Sequence, residues 1–426
     1  RPRRVLRRFE MKGGPLLIVE NDPSARSVAI QAGMVGGLRM ESKRDSGVSN
    51  LVAQLLTKGT GRLDARQLRR RLDEMGAVLE GYAGRNSIGI RAEAPARHGE
   101  KLLQLLCECL VDPAFEKGEL ARARRHVLDE IRTRQDDAAS VAFDAMLERM
   151  YPRHPYGLPL LGRRQSILKI DRQKVVEFWS EVFSPKRLVV AVAGNVDIEM
   201  ARKVVERHCR PRGRVAGTRA ARPSVPLDPP PSGPVVVKRK RSRRQVNVVV
   251  GFRGTRVHSE DRYPLEVLMA LLTGQQGWLY QGLRERNGLV YSLSGLAFEG
   301  IEPGFISFHA ACEPEKLPQV LERIRDILSE AGRRKPLRKE LERAKRYLVG
   351  TRLAAMQRPA SRVAEMLYSE LFGQPGEWKA YQKRIRSVSA DDVVRVAAKY
   401  LRFERSVTAL VGPVGRGTRP GLPGAR

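Results

Sequence analysis

The chain has 426 residues, 42% of them hydrophobic, and carries 79 Lys and Arg against 47 Asp and Glu, a net charge of +32. That length exceeds what one hydrophobic core normally supports, so two domains are expected. No apolar run reaches the roughly eighteen residues a membrane-spanning helix needs.

The chain opens on Arg1 rather than methionine, which implies native residues ahead of it, a signal peptide or a preceding domain among the options. Residues 16–20 and 27–35 read as strands, as do 77–83 and 87–93, from their period-two or continuous apolar character. Between these pairs, 62–75 reads as a helix with Ala65, Leu68, Leu72 and Met75 on one face. Further helices are expected over 100–111, 116–134 and 141–150, and an amphipathic helix containing Val175 and Val176 leads into an apolar strand ending at Gly194. The stretch 210–234 holds seven prolines and no apolar periodicity, the composition of an extended linker. Beyond it, two valine-rich segments flank the basic run 238–244 and read as two strands joined by a basic turn. The end, 415–426, is rich in Gly, Pro and Arg and reads as a disordered tail. Strand pairs followed by runs of helices indicate an α+β fold, with helices packed on a mainly antiparallel sheet.

The positive charge could serve nucleic acid. Most of it, however, is arginine scattered along helical segments, such as Arg66, Arg69, Arg70 and Arg71, and few aromatic residues interleave with it for base stacking. It reads as a solvated basic surface able to attract acidic peptides or anionic membranes. The four cysteines lack C-x-x-C spacing, and Cys107 and Cys109 point to different faces of one helix. The expectation is buried free thiols, without a disulfide framework or a cysteine zinc site.

An internal repeat organises the chain. An offset of 218 residues carries Val175 and Val176 onto Val393 and Val394, Arg187 onto Arg405, Ala191 onto Ala409 and Gly194 onto Gly412. An offset of 221 carries Glu119 and Leu120 onto Glu340 and Leu341, and Arg122, Ala123 and Arg125 onto Arg343, Ala344 and Arg346. Repeats of this length are domains rather than solenoid units. The expected organisation is a domain over 1–209, a linker over 210–234, a homologous domain over 235–414 and the tail.

Several segments, in order, carry a resemblance. They are Gly47 to Leu51 leading to Lys58-Gly59-Thr60, then Asp112-Pro113-Ala114-Phe115, then His126 to Ile131, and then Tyr151-Pro152-Arg153-His154-Pro155-Tyr156-Gly157. Ala193-Gly194-Asn195-Val196 follows, and Leu283-Arg284 with Gly288-Leu289-Val290-Tyr291 completes the set. Over nearly its whole length the chain resembles the pitrilysin/insulinase-like zinc metallopeptidases. The resemblance implies two homologous α+β domains forming one half of a clamshell.

Active members of that family carry H-x-x-E-H on a helix, two histidines for zinc and a glutamate to activate the bound water. The matching positions here are Asn50, Ala53 and Gln54, and Glu130 stands where the resemblance puts the third ligand. Amides are poor zinc ligands and Ala53 accepts no proton, so the chain is expected to hold no metal and to cleave nothing alone. A new pair from His126 and Glu130, four residues apart, is the one conceivable replacement. In the second half Arg284 and Tyr291 keep the spacing of the family's arginine and tyrosine, which project into the proteolytic chamber. A guanidinium and a phenol can stabilise the oxyanion that develops during peptide hydrolysis; the alternative is a surface Arg and a packed Tyr. Gly274 and Gly277 stand in the family's glycine-rich segment, as a substrate-backbone contact or as a plain turn. The resemblance therefore implies an incomplete subunit, or a C-terminal half, that offers Arg284 and Tyr291 to a zinc-bearing homologous partner around an extended peptide. The alternative is a non-catalytic assembly subunit. For a bacterial member the resemblance points to the periplasm or cell envelope, which no residue here demonstrates.

Overall fold

The computed structural model describes residues 4–209, 225, 227–285 and 288–415. Most of the expected linker and the tail from 416 onward lie outside the described residues.

Eleven strands form two sheets among the described residues. The first contains β1 (Val5–Glu10), β2 (Leu16–Asn21), β3 (Ser27–Val35), β4 (Val78–Ala83), β5 (Ser87–Pro95) and β6 (Val189–Gly194), in the order β1-β2-β6-β3-β5-β4. The second contains β7 (Val235–Lys240), β8 (Val246–Arg253), β9 (Ser292–Phe298), β10 (Phe305–Cys312) and β11 (Val407–Gly412), in the order β7-β11-β8-β10-β9. With β1 set aside, the two orders are the same. In each, the last strand of the half inserts between the first two, parallel to one and antiparallel to the other. The basic segment thus joins two strands that do not pair, because β11 lies between them.

The repeat's glycines have a physical reason. Gly194 and Gly412 close β6 and β11 at φ of 130° and 151°, and a Cβ there would meet the carbonyls of Ser27 and Gln245 at 2.2 and 2.5 Å. Only glycine allows that approach without displacing the neighbouring strand.

Both inserted strands are buried at every position, which requires cover on both faces and explains their unbroken apolar character. On one face of the first sheet, Leu17, Val28, Ile30 and Ile90 pack with helices Val48–Leu56, Gly99–Val111 and Ile198–His208. On the other face, Ile18, Ala29, Val189 and Ala191 pack with Val363, Met366 and Leu367 of helix Pro359–Leu371. The second sheet repeats the scheme. Val248, Phe308 and Leu410 face helices Arg262–Thr273, Leu317–Ala331 and Ala390–Tyr400, and Val249, Phe305 and Ala409 face Met146 and Met150 of helix Ala138–Met150.

The covering helices are exchanged between the halves. One compact unit consists of residues 1–131, 159–225 and 354–378, and the other of 132–158, 226–353 and 379–426. The sequence boundary at 210–234 divides the two sheets, whereas each unit also takes one helical segment from the other half of the chain. Arg362 fixes the first exchange: its Nε lies 2.5 Å from Glu20 and its Nη2 donates to Asp22 at 3.2 Å, all three side chains being buried.

Helix Ala65–Met75 starts later than the apolar pattern indicates because the Asp64 side chain accepts from the backbone N–H groups of Arg66 and Gln67 and caps it. A larger correction concerns cysteine. Cys107 and Cys209 form a disulfide between helix 99–111 and the end of helix 198–208, while Cys109 and Cys312 stay free and buried. The pair is 102 residues apart in sequence, beyond the reach of any local spacing rule. No helix among the described residues is long and apolar enough to cross a membrane.

Candidate functional site

Helix 48–56 carries the degenerate positions, and it begins where a buried carboxylate gathers its N-terminal donors. Glu41 accepts from the backbone N–H of Gly47 at 2.7 Å and of Ser49 at 3.0 Å, and from the Ser49 hydroxyl. Burial pushes the Glu41 carboxyl up to about 8, against the opposing pull of those hydrogen bonds. Asn50 and Gln54 are four apart on this helix and half-buried, with Ala53 buried between them. Asn50 Nδ2 and Glu130 Oε2 are both shielded from solvent with no hydrogen-bond partner among the described residues. Glu130 instead turns its other oxygen toward His126 Nε2, 3.8 Å away.

This donor set does not fit zinc. It offers two amides, an alanine and one carboxylate, and the His126–Glu130 pair has no third ligand: no group of three His, Cys, Asp or Glu side chains gathers anywhere among the described residues. No chemical step is derived through a metal bound to this chain.

The second unit holds the arginine and the tyrosine. Arg284 sits on the helical turn Gln281–Glu285, exposed, with its guanidinium 5.5 Å from the centre of the Tyr280 ring. That turn closes at Gly288, whose φ is 55°. Its N–H donates to the Arg284 carbonyl at 3.0 Å, and the next N–H, of Leu289, reaches back to Leu283 at 2.8 Å. The two bonds span four and six residues, one more each than in a Schellman end, as suits the wide π-type turn they close, and the left-handed glycine leads the chain into the second sheet. Tyr291 N–H then donates to Ala311 O at 2.8 Å, one residue before β9 begins.

The Tyr291 ring is 53% exposed, and its hydroxyl donates to Glu313 Oε1 at 2.7 Å. That bond raises the phenol's pKa above its ordinary value, so Tyr291 remains a neutral donor over the working pH range. Lys316 lies 3.1 Å from the other Glu313 oxygen. Glu313 escaped the sequence reading because it follows β10, and only the β9–β10 register, with Ser292 opposite Ala311, brings it beside Tyr291. Arg284 and Tyr291 thus flank one helix-to-strand connection, and both present their polar ends to solvent.

Gly274 and Gly277 lie in the turn after helix 262–273. A Cβ at Gly277 would fall 2.5 Å from the Leu272 carbonyl, and one at Gly274 would fall 2.7 Å from the Ala270 carbonyl. The turn alone accounts for both glycines. Even so, both line a small cavity of about 220 Å³, and Gly274 also borders one of about 460 Å³ beside Gly295 to Glu299 at the open edge of the second sheet.

Comparison with known proteins is consistent along the chain. Residues 16–164 match the model of the insulinase domain, peptidase family M16, and residues 169–348 match the model of the peptidase M16 inactive domain. The chain is 25% identical over 416 residues to an uncharacterized zinc protease of Bacillus subtilis, covering 96% of this chain and 99% of that one. An uncharacterized zinc protease of Mycobacterium tuberculosis is 27% identical over 419 residues, covering 98% and 95%. The fold is shared with the peptidase M16 inactive domain from Pseudomonas fluorescens at a TM-score of 0.88 and 18% identity, covering 96% of this chain and 98% of that one. It is shared with a protease from Helicobacter pylori at 0.87 and 18%, covering 96% and 100%. The chain belongs to the insulinase-like M16 peptidase family.

Proposed function

We propose that this chain is a catalytically incomplete M16 subunit, or C-terminal half, which supplies Arg284 and Tyr291 to a homologous zinc-bearing partner for hydrolysis of an extended peptide. One observation carries the reading: the exposed phenol and guanidinium stand on either side of the glycine-closed turn that leads into β9, whereas Asn50, Ala53 and Gln54 retain neither ligands nor a base. Selection for folding alone does not require an exposed tyrosine and arginine at such a turn. In the proposed role both groups donate to the oxyanion that forms when the peptide carbonyl is attacked. The Tyr291 hydroxyl transfers its hydrogen bond from Glu313 to the substrate oxygen as charge develops there.

The peptide itself would add to the free edge of β9, its backbone pairing as a further strand. Leu296, half-exposed on that edge, and the cavity bounded by Met269, Gly274 and Phe298 would receive its side chains. Nucleic acid is not a proposed partner. The Cys107–Cys209 disulfide supports an oxidising compartment, in keeping with a periplasmic or envelope location.

A structural subunit with no catalytic role is the competing reading. It is favoured by the hydrogen bond from Tyr291 to Glu313, which already commits the phenol proton. Two measurements test the proposal together: zinc content and peptide cleavage by the chain alone, then cleavage after mixing with the zinc-bearing homologue. No stoichiometric zinc, no activity alone and a gain on mixing support it. About one zinc per chain after dialysis, or unchanged activity on mixing, would count against it.

A further inference from the structure

We infer that a second cavity in the same unit is a subsite for acidic side chains of the peptide, an inference that rests on the peptide-binding reading above. The cavity, of about 380 Å³, lies between the turn that bears Arg284 and helices 317–331 and Arg338–Ala355. Its volume falls in the range of small-ligand sites rather than that of a bound water. Trp278, Ile327 and Leu337 give it apolar walls, and Leu337 is 49% exposed. Its floor is Gly282, where a Cβ would stand 2.6 Å from Ile327 Cδ1, so any larger residue there would narrow the space.

The charges around the cavity are not balanced. Arg334 lies against Glu330 at 3.3 Å, and Arg343 donates to Gln276 at 2.7 Å. Both Glu340 oxygens are engaged, one by Trp278 Nε1 at 3.2 Å and the other by the Leu337 N–H at 2.8 Å. Arg323 and Lys339 also line the cavity, and neither has an ion-pair partner among the described residues. Two uncommitted cations beside the apolar walls of Trp278, Ile327 and Leu337 match a carboxylate carried on a short aliphatic stem, as in glutamate. A bare oxyanion would leave the Trp278, Ile327 and Leu337 surfaces unused. Gln281 and Gly282 line the cavity and lie on the same turn as Arg284, so a peptide anchored there runs past the proposed catalytic pair.

The test uses the full chain and fluorescein-labelled hexaglutamate followed by anisotropy, with hexaglutamine as the neutral control. Because a net charge of +32 attracts any polyanion, the decisive comparison is between two charge reversals of equal size. R323E/K339E is expected to weaken hexaglutamate binding about tenfold or more, as loss of a charged hydrogen bond does. R66E/R71E, on an exposed helix of the other unit, is expected to change it less than about twofold. G282A, which leaves the charge unaltered, should also weaken binding. Equal losses in the two double variants would overturn the inference, since the attraction would then be diffuse. So would ATP binding that R323E/K339E abolishes while hexaglutamate binding survives, because the cavity would then be a nucleotide site. Neither result depends on a partner or on turnover, so the subsite can fail while the role of Arg284 and Tyr291 stands, and the reverse.

Discussion

Replacing Arg362 with methionine should expose how much of the first unit's stability comes from a helix supplied by the other half of the chain. Methionine keeps most of the aliphatic volume but removes the cation from Glu20 and Asp22, which are 6% and 3% exposed. It also removes the donors to the Met356 and Gln357 carbonyls, at 3.2 and 3.0 Å. Breaking a buried pair by deleting one partner costs about 3–5 kcal/mol, because the remaining charge stays desolvated. Arg4 still reaches Asp22 at 2.9 Å, which favours the lower half of that range. For a unit of this size each kcal/mol moves Tm by roughly 2–4 °C, so a fall of about 6–16 °C is expected. The triple variant E20Q/D22N/R362M should recover most of it, since a buried ion group replaced by neutral residues is often close to neutral overall. Calorimetry and urea titration of the parent, single and triple variants measure this directly. A single variant within about 2 °C of the parent, or a triple variant no better than the single, would refute the assignment of Arg362 as the lock of the exchanged helix.

Three further outcomes follow from the same geometry. Glu41 has a folded-state pKa of about 8 against an ordinary 4.5, so the folded chain holds a proton that the unfolded chain releases. Its contribution to stability is therefore present below about pH 4.5 and is lost as pH rises toward 8, by about 1.4 kcal/mol per pH unit at the steepest. Urea titrations across that window should show the slope reduced in Glu41→Gln, and an unchanged slope would contradict the account. Cys209→Ser opens a loop closed over 102 residues and should cost about 3–5 kcal/mol under oxidising conditions, with no effect once the parent is reduced; equal stability of oxidised and reduced parent would rule this out. Gly288→Ala forces a side chain into left-handed backbone at φ of 55° and should destabilise the turn by about 1 kcal/mol. Its mark would be faster amide exchange at Leu289 and Tyr291, and unaltered exchange there would count against the role of the left-handed glycine in closing this turn.

Much of this architecture was legible in the sequence because its signals are local or periodic. Alternating and continuous apolar runs marked β2 through β6, and the repeat that placed Gly194 on Gly412 reflected a shared positive-φ strand end. What the sequence hid depends on distant pairing. β1, with Arg7, Arg8 and Glu10 on an edge strand, lacks an apolar pattern and joins the sheet only through β2. The helix exchange, the Cys107–Cys209 bond and the Glu313 contact each join residues whose proximity is set by the folded topology. At the candidate site the residues were readable one by one, from Asn50, Ala53 and Gln54 to Arg284 and Tyr291. The Glu313 hydrogen bond and the uncommitted Arg323 and Lys339 were not, because burial and pairing are properties of the fold.

The most direct test of the central claim is turnover by the reconstituted pair with Tyr291→Phe, which deletes one hydroxyl from a half-exposed ring. Removing an oxyanion donor costs on the order of 10²–10³ in kcat, and the account predicts a loss of that size with folding, partner affinity and KM near the parent values. Arg284→Ala should give a similar loss. Parent-level kcat in Tyr291→Phe, with assembly intact, would contradict the claim and leave this chain a structural member of its family.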